Sequence, residues 1–353
     1  MKTYDEAISF DCLYESMMKC KRGVMWKTSV SSFVNDATKN IMKLEEELKS
    51  GTYKSMKPRI FQVTTPKPRN ILATAFRDRV YQRSLNDNII YEAMTKSFIL
   101  DNCACQKGKG TDFARNRLKE HLHRFYRKNG CEGYFLQIDI KKYYDNLQHS
   151  YVEGLFKEKL DEKTYNAVIE ILHSQYPGDK GYNPGSQLIQ IAGISSLDYL
   201  DHFIKEQCKI KHYVRYMDDL ILIHENKVVL ELVLDLIKDK LSEIGLEVNS
   251  KKTHIQKLKY KIPFLGFNFI LTKTGKVIMK VKSESIDREK RHLRGMLERA
   301  SNNKMPFHDI DECFKNWINC LKVKKYHYTA TKNMIKYYKG EKIKWLKLYY
   351  KKD

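Results

Sequence analysis

The chain has 353 residues, of which 42% are hydrophobic and 12% aromatic, with only 7 Pro and 16 Gly. This composition is typical of a folded globular protein and excludes disordered, collagen-like and mucin-like classes. Lys and Arg outnumber Asp and Glu by 65 to 43, a net charge of +22, and so large an excess predicts a polyanionic partner, above all nucleic acid.

The eight cysteines are scattered along the chain and show no zinc-finger spacing. With no signal peptide at the start of the sequence, this pattern predicts reduced thiols and a cytoplasmic protein. No apolar run approaches the roughly 18 residues that span a bilayer. We therefore expect no membrane partner.

Apolar residues at helical spacing predict four helices in the first 130 residues: 4–21, 29–48, 76–98 and 111–127. Between the second and third of these, the sequence "KPRIFQVTTPKPRNILAT" predicts a small basic β-hairpin, because its two extended runs are separated by a proline-rich turn.

Farther along, a short apolar strand ends at Asp139, and a second strand pair has Asp218 and Asp219 at its tip. Helices are predicted around these strands over 151–174, 186–206 and 226–244. "IPFLGFNFIL" is predicted as a strand, and the sequence from Lys282 onward as helical. Helices and strands alternate without the rhythm of a doubly wound sheet, so we predict an α+β fold with a mostly antiparallel central sheet.

The end of the chain carries much of the positive charge. Residues 271–353 contain 22 Lys and Arg against 9 Asp and Glu, a net charge of +13. Tyrosines and tryptophans alternate with these lysines, including Tyr337, Tyr338 and Trp345. Such aromatic residues either pack on a core or stack on nucleic-acid bases, and we predict nucleic-acid contact for this segment as a whole.

Asp139, Asp218 and Asp219 are candidate metal ligands. Three carboxylates at one edge of a sheet repel one another unless cations neutralise them, and hard oxygen ligands favour Mg²⁺, with Mn²⁺ as the alternative. Two such ions would activate an attacking hydroxyl and stabilise a leaving oxygen, which is the chemistry of nucleotidyl transfer.

These motifs, in this order, resemble those of reverse transcriptases: "KPRNILATAFRDRVYQRSL", "NCACQKGKGT", "QIDIKKYYD", "YMDD" and "FLGFNF". The resemblance is to prokaryotic enzymes, in particular the defence-associated, abortive-infection and diversity-generating-element group. It implies a right-hand polymerase with N-terminal helices and fingers over 1–132, a palm over 133–272 with some finger elements interleaved, and a basic helical thumb over 273–353.

The same resemblance implies roles for single residues. Asp139 and Asp218 would bind both metal ions and Asp219 would contribute from the primer side, while Lys252, with Lys251 as a rival, would protonate the departing pyrophosphate. Tyr144 would exclude the ribose 2′-hydroxyl, unless it is simply a core tyrosine.

Further residues are implied to bind substrates. The nucleotide would contact Lys67, Arg69, Ser186 and Gln187, although "NPGSQLIQIAG" departs from the Pro-Gln-Gly turn of many relatives. Template and primer contacts are implied for Arg77, Arg79, Lys107, Lys109, Phe264, Leu265, Gly266 and Phe267, although a plain buried strand would also explain the phenylalanines.

The implied function is Mg²⁺-dependent, RNA-directed DNA synthesis from dNTPs and a DNA primer, on a dedicated structured noncoding RNA, in bacterial anti-phage defence. Three alternatives stay open: the polymerase of a diversity-generating retroelement, untemplated or protein-primed DNA synthesis, and a non-catalytic RNA-binding protein. Whether the chain forms a homo-oligomer also stays open.

Overall fold

The computed structural model describes residues 1–64, 68–321 and 328–349. The chain divides into two compact units. The first comprises Met1–Gly110, Gln137–Leu220 and Glu231–His254, and the second comprises Thr111–Leu136, Ile221–Leu230 and the described residues from Ile255 onward. These units do not follow the three regions expected from the sequence, and that three-part division stays a prediction.

The described residues form sixteen α-helices, and two π-helical turns lie at Asn86–Ile90 and Phe203–Gln207. The α-helices are α1 (Tyr4–Ala7), α2 (Phe10–Cys20), α3 (Thr28–Asn35), α4 (Ala37–Lys49), α5 (Phe76–Leu85), α6 (Tyr91–Thr95), α7 (Thr111–Asn129), α8 (Tyr143–Asn146), α9 (His149–Lys159), α10 (Glu162–Gln175), α11 (Gln187–Ser195), α12 (Asp198–His202), α13 (Lys227–Ser242), α14 (Ser283–Ser301), α15 (Phe307–Leu321) and α16 (Tyr328–Tyr349). In this part of the chain, no helix is both long enough and apolar enough to cross a bilayer.

Nine strands form three sheets in the described residues. The strands are β1 (Arg59–Val63), β2 (Arg69–Ala73), β3 (Tyr134–Asp139), β4 (His212–Tyr216), β5 (Asp219–His224), β6 (His254–Lys257), β7 (Ile262–Phe264), β8 (Phe267–Leu271) and β9 (Val277–Val281). Strands β1 and β2 form an antiparallel hairpin, β7, β8 and β9 an antiparallel sheet, and the remaining four a sheet in the order β4-β5-β3-β6. The predicted α+β class, with antiparallel sheets, is confirmed.

Several predicted helices are interrupted. The helix predicted over 4–21 breaks before Phe10, since Thr3 caps α1 with a complete capping box and α2 starts afresh after Ser9. The helix predicted over 29–48 breaks at Asp36, which separates α3 from α4. Hydrophobic periodicity runs through both breaks, so it could not locate them.

The "IPFLGFNFIL" segment is a hairpin, and the prediction of one strand was wrong. Leu265 and Gly266 have φ angles of +43° and +83° and form the turn between β7 and β8. Glycine adopts such angles readily, but leucine does so rarely. The turn was not predicted because it lies within an apolar run and begins at a leucine.

Helices α14, α15 and α16 share a hydrophobic core. Its buried members are Leu293, Met296, Leu297, Ala300, Ile310, Phe314, Ile318, Met334 and Tyr338. Tyr337 and Trp345 pack against this core, so these aromatic residues serve packing at least in part. The other aromatic residues of the segment include Tyr326 and Tyr350, which lie outside the described residues.

Candidate active site

Asp139 ends β3, and two side chains from the loop after α13 bind its carboxylate. Lys252 Nζ lies 2.6 Å from Oδ1, and the amide nitrogen of Asn249 donates to Oδ2 at 3.0 Å. The backbone joins this arrangement, because Asn249 N donates to the Asp139 carbonyl at 2.7 Å. Sequence reasoning found Lys252 but missed Asn249, which lies 110 residues from its partner.

The second acidic element is a tight turn between β4 and β5. Met217 and Asp218 are the central residues, and Met217 has a φ angle of +56°. A positive φ at the first central residue suits a two-residue hairpin but is unusual for a non-glycine residue. The surroundings hold this conformation, since the Arg215 guanidinium donates to the Met217 carbonyl at 3.1 Å.

Asp218 and Asp139 interact electrostatically. Burial raises the pKa of Asp218, and the charge of Asp139 raises it further, whereas Lys252 and Arg69 lower it. Ionising both carboxylates therefore costs free energy, and a bound cation would offset this cost. Such a pair of hard oxygen donors fits Mg²⁺ or Mn²⁺.

Asp219 follows Asp218 directly in the chain and is the first residue of β5. Within the part of the chain that the structure describes, the three carboxylates do not all approach to within 4.8 Å of one another. A metal site formed by all three acids therefore stays a prediction, and the interaction that the electrostatics carry is the one between Asp139 and Asp218.

Tyr144 lies beside this pair. Its half-buried ring packs against Gly193 of α11, where an added Cβ would lie 2.8 Å from the tyrosine hydroxyl oxygen. Burial raises the pKa of Tyr144, and the charges of Cys105 and Asp218 raise it further. The ring thus contacts α11, and the charge of Asp218 acts on its hydroxyl group. The role of Tyr144 in selecting the sugar stays a prediction.

The loop before α11 is fixed to the hairpin of β1 and β2. Leu72 N of β2 donates to the Pro184 carbonyl at 3.2 Å, and a Cβ on Gly185 would lie 2.1 Å from the Leu72 carbonyl oxygen. Gly185 has a φ angle of +150°. Its backbone conformation and the close approach of Leu72 both favour glycine at this position.

Comparison with known proteins identifies the family. Residues 56–269 match the family described as reverse transcriptase (RNA-dependent DNA polymerase). The chain belongs to this family. Its members are RNA-directed DNA polymerases, which are nucleotidyltransferases.

Solved structures of telomerases are also similar to this chain. Apo telomerase from Candida tropicalis, truncated from its C-terminal domain, aligns with a TM-score of 0.47 and 16% identity over 67% of this chain and 58% of that one. Telomerase from Candida albicans, in complex with the TWJ fragment of telomeric RNA, aligns with a TM-score of 0.46 and 11% identity over 88% of this chain and 65% of that one. The chain thus spans less than two thirds of either telomerase. The search of curated proteins gave no match.

The reverse transcriptase resemblance places Ser186 and Gln187 at the nucleotide. In the structure, Ser186 is hydrogen-bonded within the protein and Gln187 is only partly exposed. Ser186 is buried, accepts a hydrogen bond from Leu188 N at 3.1 Å as the N-cap of α11, and donates to Gln82 Oε1 at 3.0 Å. A contact in which Ser186 donates to a nucleotide would have to replace its bond to Gln82, because a hydroxyl has one proton to donate. Gln187 is partly exposed at the start of α11.

Of the two basic residues expected at the triphosphate, the structure describes one. Arg69 is exposed at the start of β2, and its charge acts on Asp218. Lys67 lies outside the described residues. Their contacts with the triphosphate stay a prediction.

The four basic residues expected at the template divide into two kinds. Arg77 donates to Glu47 at 2.6 Å and to the Lys54 carbonyl at 2.7 Å, and Lys109 donates to the Asn102 and Leu100 carbonyls at 2.9 and 3.1 Å. These two side chains brace the fold, and a phosphate contact would compete with their bonds.

The other two are better placed to meet a phosphate. Lys107 is exposed, with its ammonium 4.7 Å from the centre of the Tyr91 ring. Arg79 lines a cleft of about 990 Å³ together with Lys27, Lys57 and Arg59. These four basic side chains line the cleft, and such side chains are common phosphate contacts.

The predicted primer-contacting segment lies in the turn between β7 and β8. Phe264 and Phe267 are buried. Arg115 donates to the Leu265 carbonyl at 2.8 Å, and its guanidinium lies 4.3 Å from the centre of the Phe267 ring. A Cβ on Gly266 would meet no atom within 4 Å, so the positive φ of Gly266, and not a close neighbour within the chain, favours glycine there.

Proposed function

We propose that this chain is an active RNA-directed DNA polymerase whose centre is the pair Asp139 and Asp218. The observation that carries the proposal is the electrostatic interaction of these two carboxylates beside the Lys252 ammonium. A half-buried pair of like charges costs folding free energy that bound cations would offset. The match to the family over residues 56–269 supports the same reaction.

The proposed cofactors are two Mg²⁺ ions, or Mn²⁺, held by Asp139 and Asp218 with Asp219 contributing from the primer side. Bound there, the ions supply positive charge that acidifies the primer 3′-hydroxyl and stabilises the leaving pyrophosphate. In the reaction, the bond from the 3′-oxygen to the α-phosphorus forms as the bond to the pyrophosphate breaks.

The chain's own residues position substrates and move one proton. Lys252 would donate a proton to the departing pyrophosphate, and its side chain, 51% exposed, has room to turn from Asp139 toward a substrate. Asn249 keeps Asp139 in place when Lys252 turns away. Arg69 would bind the triphosphate through its guanidinium, and Tyr144 would exclude a 2′-hydroxyl.

The finer assignments rest on the motif resemblance and on charge. We propose a structured noncoding RNA as template, a DNA primer and product, dNTPs as substrates, a role in bacterial anti-phage defence and a cytoplasmic location. The net charge of +22 supports a nucleic-acid partner. Sequencing the RNA and new DNA that copurify with the protein would distinguish a dedicated RNA from a diversity-generating template repeat, and peptides linked to DNA would indicate protein priming.

The polymerase itself is tested by primer extension on an RNA template with dNTPs and Mg²⁺. Asp218→Asn should reduce DNA synthesis by at least about 10³-fold, since the reaction needs the carboxylate charge, while RNA affinity stays near that of the wild type. Asp239→Asn is the matched control, because Asp239 is exposed on α13, and it should extend the primer normally. An Asp218→Asn protein as active as the control would refute the proposed site. Wild-type protein that binds RNA without extending any primer would favour the RNA-binding alternative.

A further inference from the structure

Arg215 and Asp201 form a fully buried ion pair directly before the catalytic turn. Both side chains are 0% exposed. Arg215 Nε donates to Asp201 Oδ1 at 2.7 Å and Nη2 donates to Oδ2 at 2.5 Å, and the Tyr213 hydroxyl also donates to Oδ1, at 2.6 Å. This two-pronged geometry fixes the plane of the guanidinium.

The other donors of Arg215 reach two parts of the site. Nη1 donates to the Met217 carbonyl at 3.1 Å, and Nη2 donates to the Ile194 carbonyl at 3.0 Å. Met217 has a positive φ angle and precedes Asp218 in the turn. Ile194 follows Gly193, the residue of α11 against which Tyr144 packs. One side chain therefore joins the turn that carries a metal ligand to the helix that supports Tyr144.

A purely stabilising role explains this pair poorly. The free-energy cost of removing two charges from water commonly equals or exceeds their attraction, so hydrophobic residues of similar size would often stabilise the fold as well. Hydrophobic residues could not donate to two carbonyl groups at fixed positions. The pair therefore serves mainly to hold the turn in place relative to α11.

We propose that Arg215, oriented by Asp201, is a positioning residue that sets the placement of Asp218 relative to Tyr144. This inference rests on the proposed function, because it assigns metal binding to one group and sugar selection to the other. Loss of the pair should therefore impair metal affinity and sugar discrimination together. A general loss of stability would lower the amount of folded enzyme and leave both properties of the folded fraction unchanged.

The test uses the full chain with Arg215→Lys, which keeps the charge but loses the fork, and Asp201→Asn, which keeps the shape. Mn²⁺ alone is the metal probe, with free Mn²⁺ followed by electron paramagnetic resonance, which needs no turnover. We expect both variants to bind Mn²⁺ about tenfold more weakly and to incorporate ribonucleotides more readily relative to deoxynucleotides. Asp78→Asn is the control, since Asp78 is equally buried and bonds to Tyr53 and Met56 N instead. It should lower the melting temperature without changing either property.

Tyr213→Phe removes one hydrogen bond to Asp201 and decides the question if the other variants do not fold. It should shift both properties in the same direction, by a smaller factor. Folded variants with wild-type Mn²⁺ affinity and wild-type sugar preference would overturn the inference. Wild-type protein that binds Mn²⁺ but makes no DNA would refute the proposed function, and the inference would then be judged by Mn²⁺ affinity alone.

Discussion

Asp139 has one charged and one neutral hydrogen-bond donor, and the difference between them matters. On the proposed function, Lys252 would leave Asp139 when a metal ion replaces its positive charge or when pyrophosphate becomes its partner, whereas the Asn249 amide carries no charge that a metal ion would replace. The neutral bond therefore holds the carboxylate in the same orientation before and after metal binding. At the level of single residues, this makes Asn249 a part of the site as much as Lys252.

Gly193 gives a residue-scale test of the role of Tyr144. Gly193→Ala places a methyl group 2.8 Å from the tyrosine hydroxyl oxygen, so the ring has to move. We expect discrimination against ribonucleotides to fall about tenfold, in the same direction as in Tyr144→Ala, as measured by competing dNTP and rNTP incorporation.

The control for this prediction is Gly154→Ala. Gly154 lies within α9, and an added Cβ there meets no atom within 4 Å. This variant should keep the sugar preference and gain about 0.5–1 kcal/mol of stability from helix propensity. If Gly193→Ala and Tyr144→Ala both select sugars as the wild type does, Tyr144 is a packing residue.

Sequence reasoning succeeded where the signal was local. The hairpin at 57–72 and the turn around Asp218 follow from residues that are close in the chain. It failed where a contact joins distant residues: Arg77 bonds to Glu47, and Asn249 to Asp139, across 30 and 110 residues. The family resemblance predicts Ser186 at the nucleotide, and the sequence does not show that Gln82, 104 residues earlier, accepts its hydrogen bond.

At the level of elements, the contact between β2 and the loop before α11 predicts the effect of Gly185→Ala. The new methyl group would lie 2.1 Å from the Leu72 carbonyl oxygen, and a side chain at this φ is strained. Strand β2, which begins with Arg69, must then shift. We expect the KM for dNTP to rise about tenfold or more, with RNA affinity little changed, in steady-state primer extension. An unchanged KM would mean that Arg69 does not bind the triphosphate or that the loop yields without moving β2.

Helix α14 contains a buried carboxyl group whose charge destabilises the fold. Glu289 is 8% exposed, its Oε1 has no hydrogen-bond partner among the described residues, and His292 Nδ1 lies 3.7 Å from its Oε2. Burial raises the pKa of Glu289, and His292 offsets part of this effect. Because the folded-state pKa is above the unfolded one, stability is greatest below the unfolded pKa and falls as pH rises through the folded value.

Glu289→Gln should therefore stabilise the protein near pH 7 and have little effect near pH 4. We expect a rise in melting temperature of about 2–4 °C for each kcal/mol regained, measured by calorimetry at both pH values. The control is Glu298→Gln on the same helix, where the carboxyl is exposed. A fall in melting temperature at pH 7 would show that the ion pair with His292 outweighs the cost of burial.

At the level of the whole molecule, positive charge is concentrated on one face of α16. Lys332, Lys336, Lys339 and Lys347 are exposed at spacings that place them on the same side of the helix. Met334 and Tyr338 face the shared core instead. This distribution places Lys336, Lys339 and Lys347 on the side of the helix away from the core, while Met334 and Tyr338 stabilise the fold.

Replacing Lys336, Lys339 and Lys347 together by Gln should weaken RNA binding and reduce its salt dependence. We expect the slope of log Kd against log salt to fall by about two units, close to the value for three lost phosphate contacts. The matched control replaces three exposed lysines elsewhere, Lys157, Lys209 and Lys211, and should change the slope by less. Equal slopes in the two triple variants would mean that the lysines of α16 contribute only to general charge.

The contact of Leu72 with Pro184 and Gly185 has a mechanical consequence. Strand β2 carries Arg69, and the loop that touches this strand leads through Ser186 into α11, which supports Tyr144 at Gly193. If Arg69 binds the triphosphate as proposed, a displacement of β2 on binding would be transmitted through this loop to the helix that supports Tyr144. On the proposed function, binding of the triphosphate and selection of the sugar would then be coupled through one backbone contact.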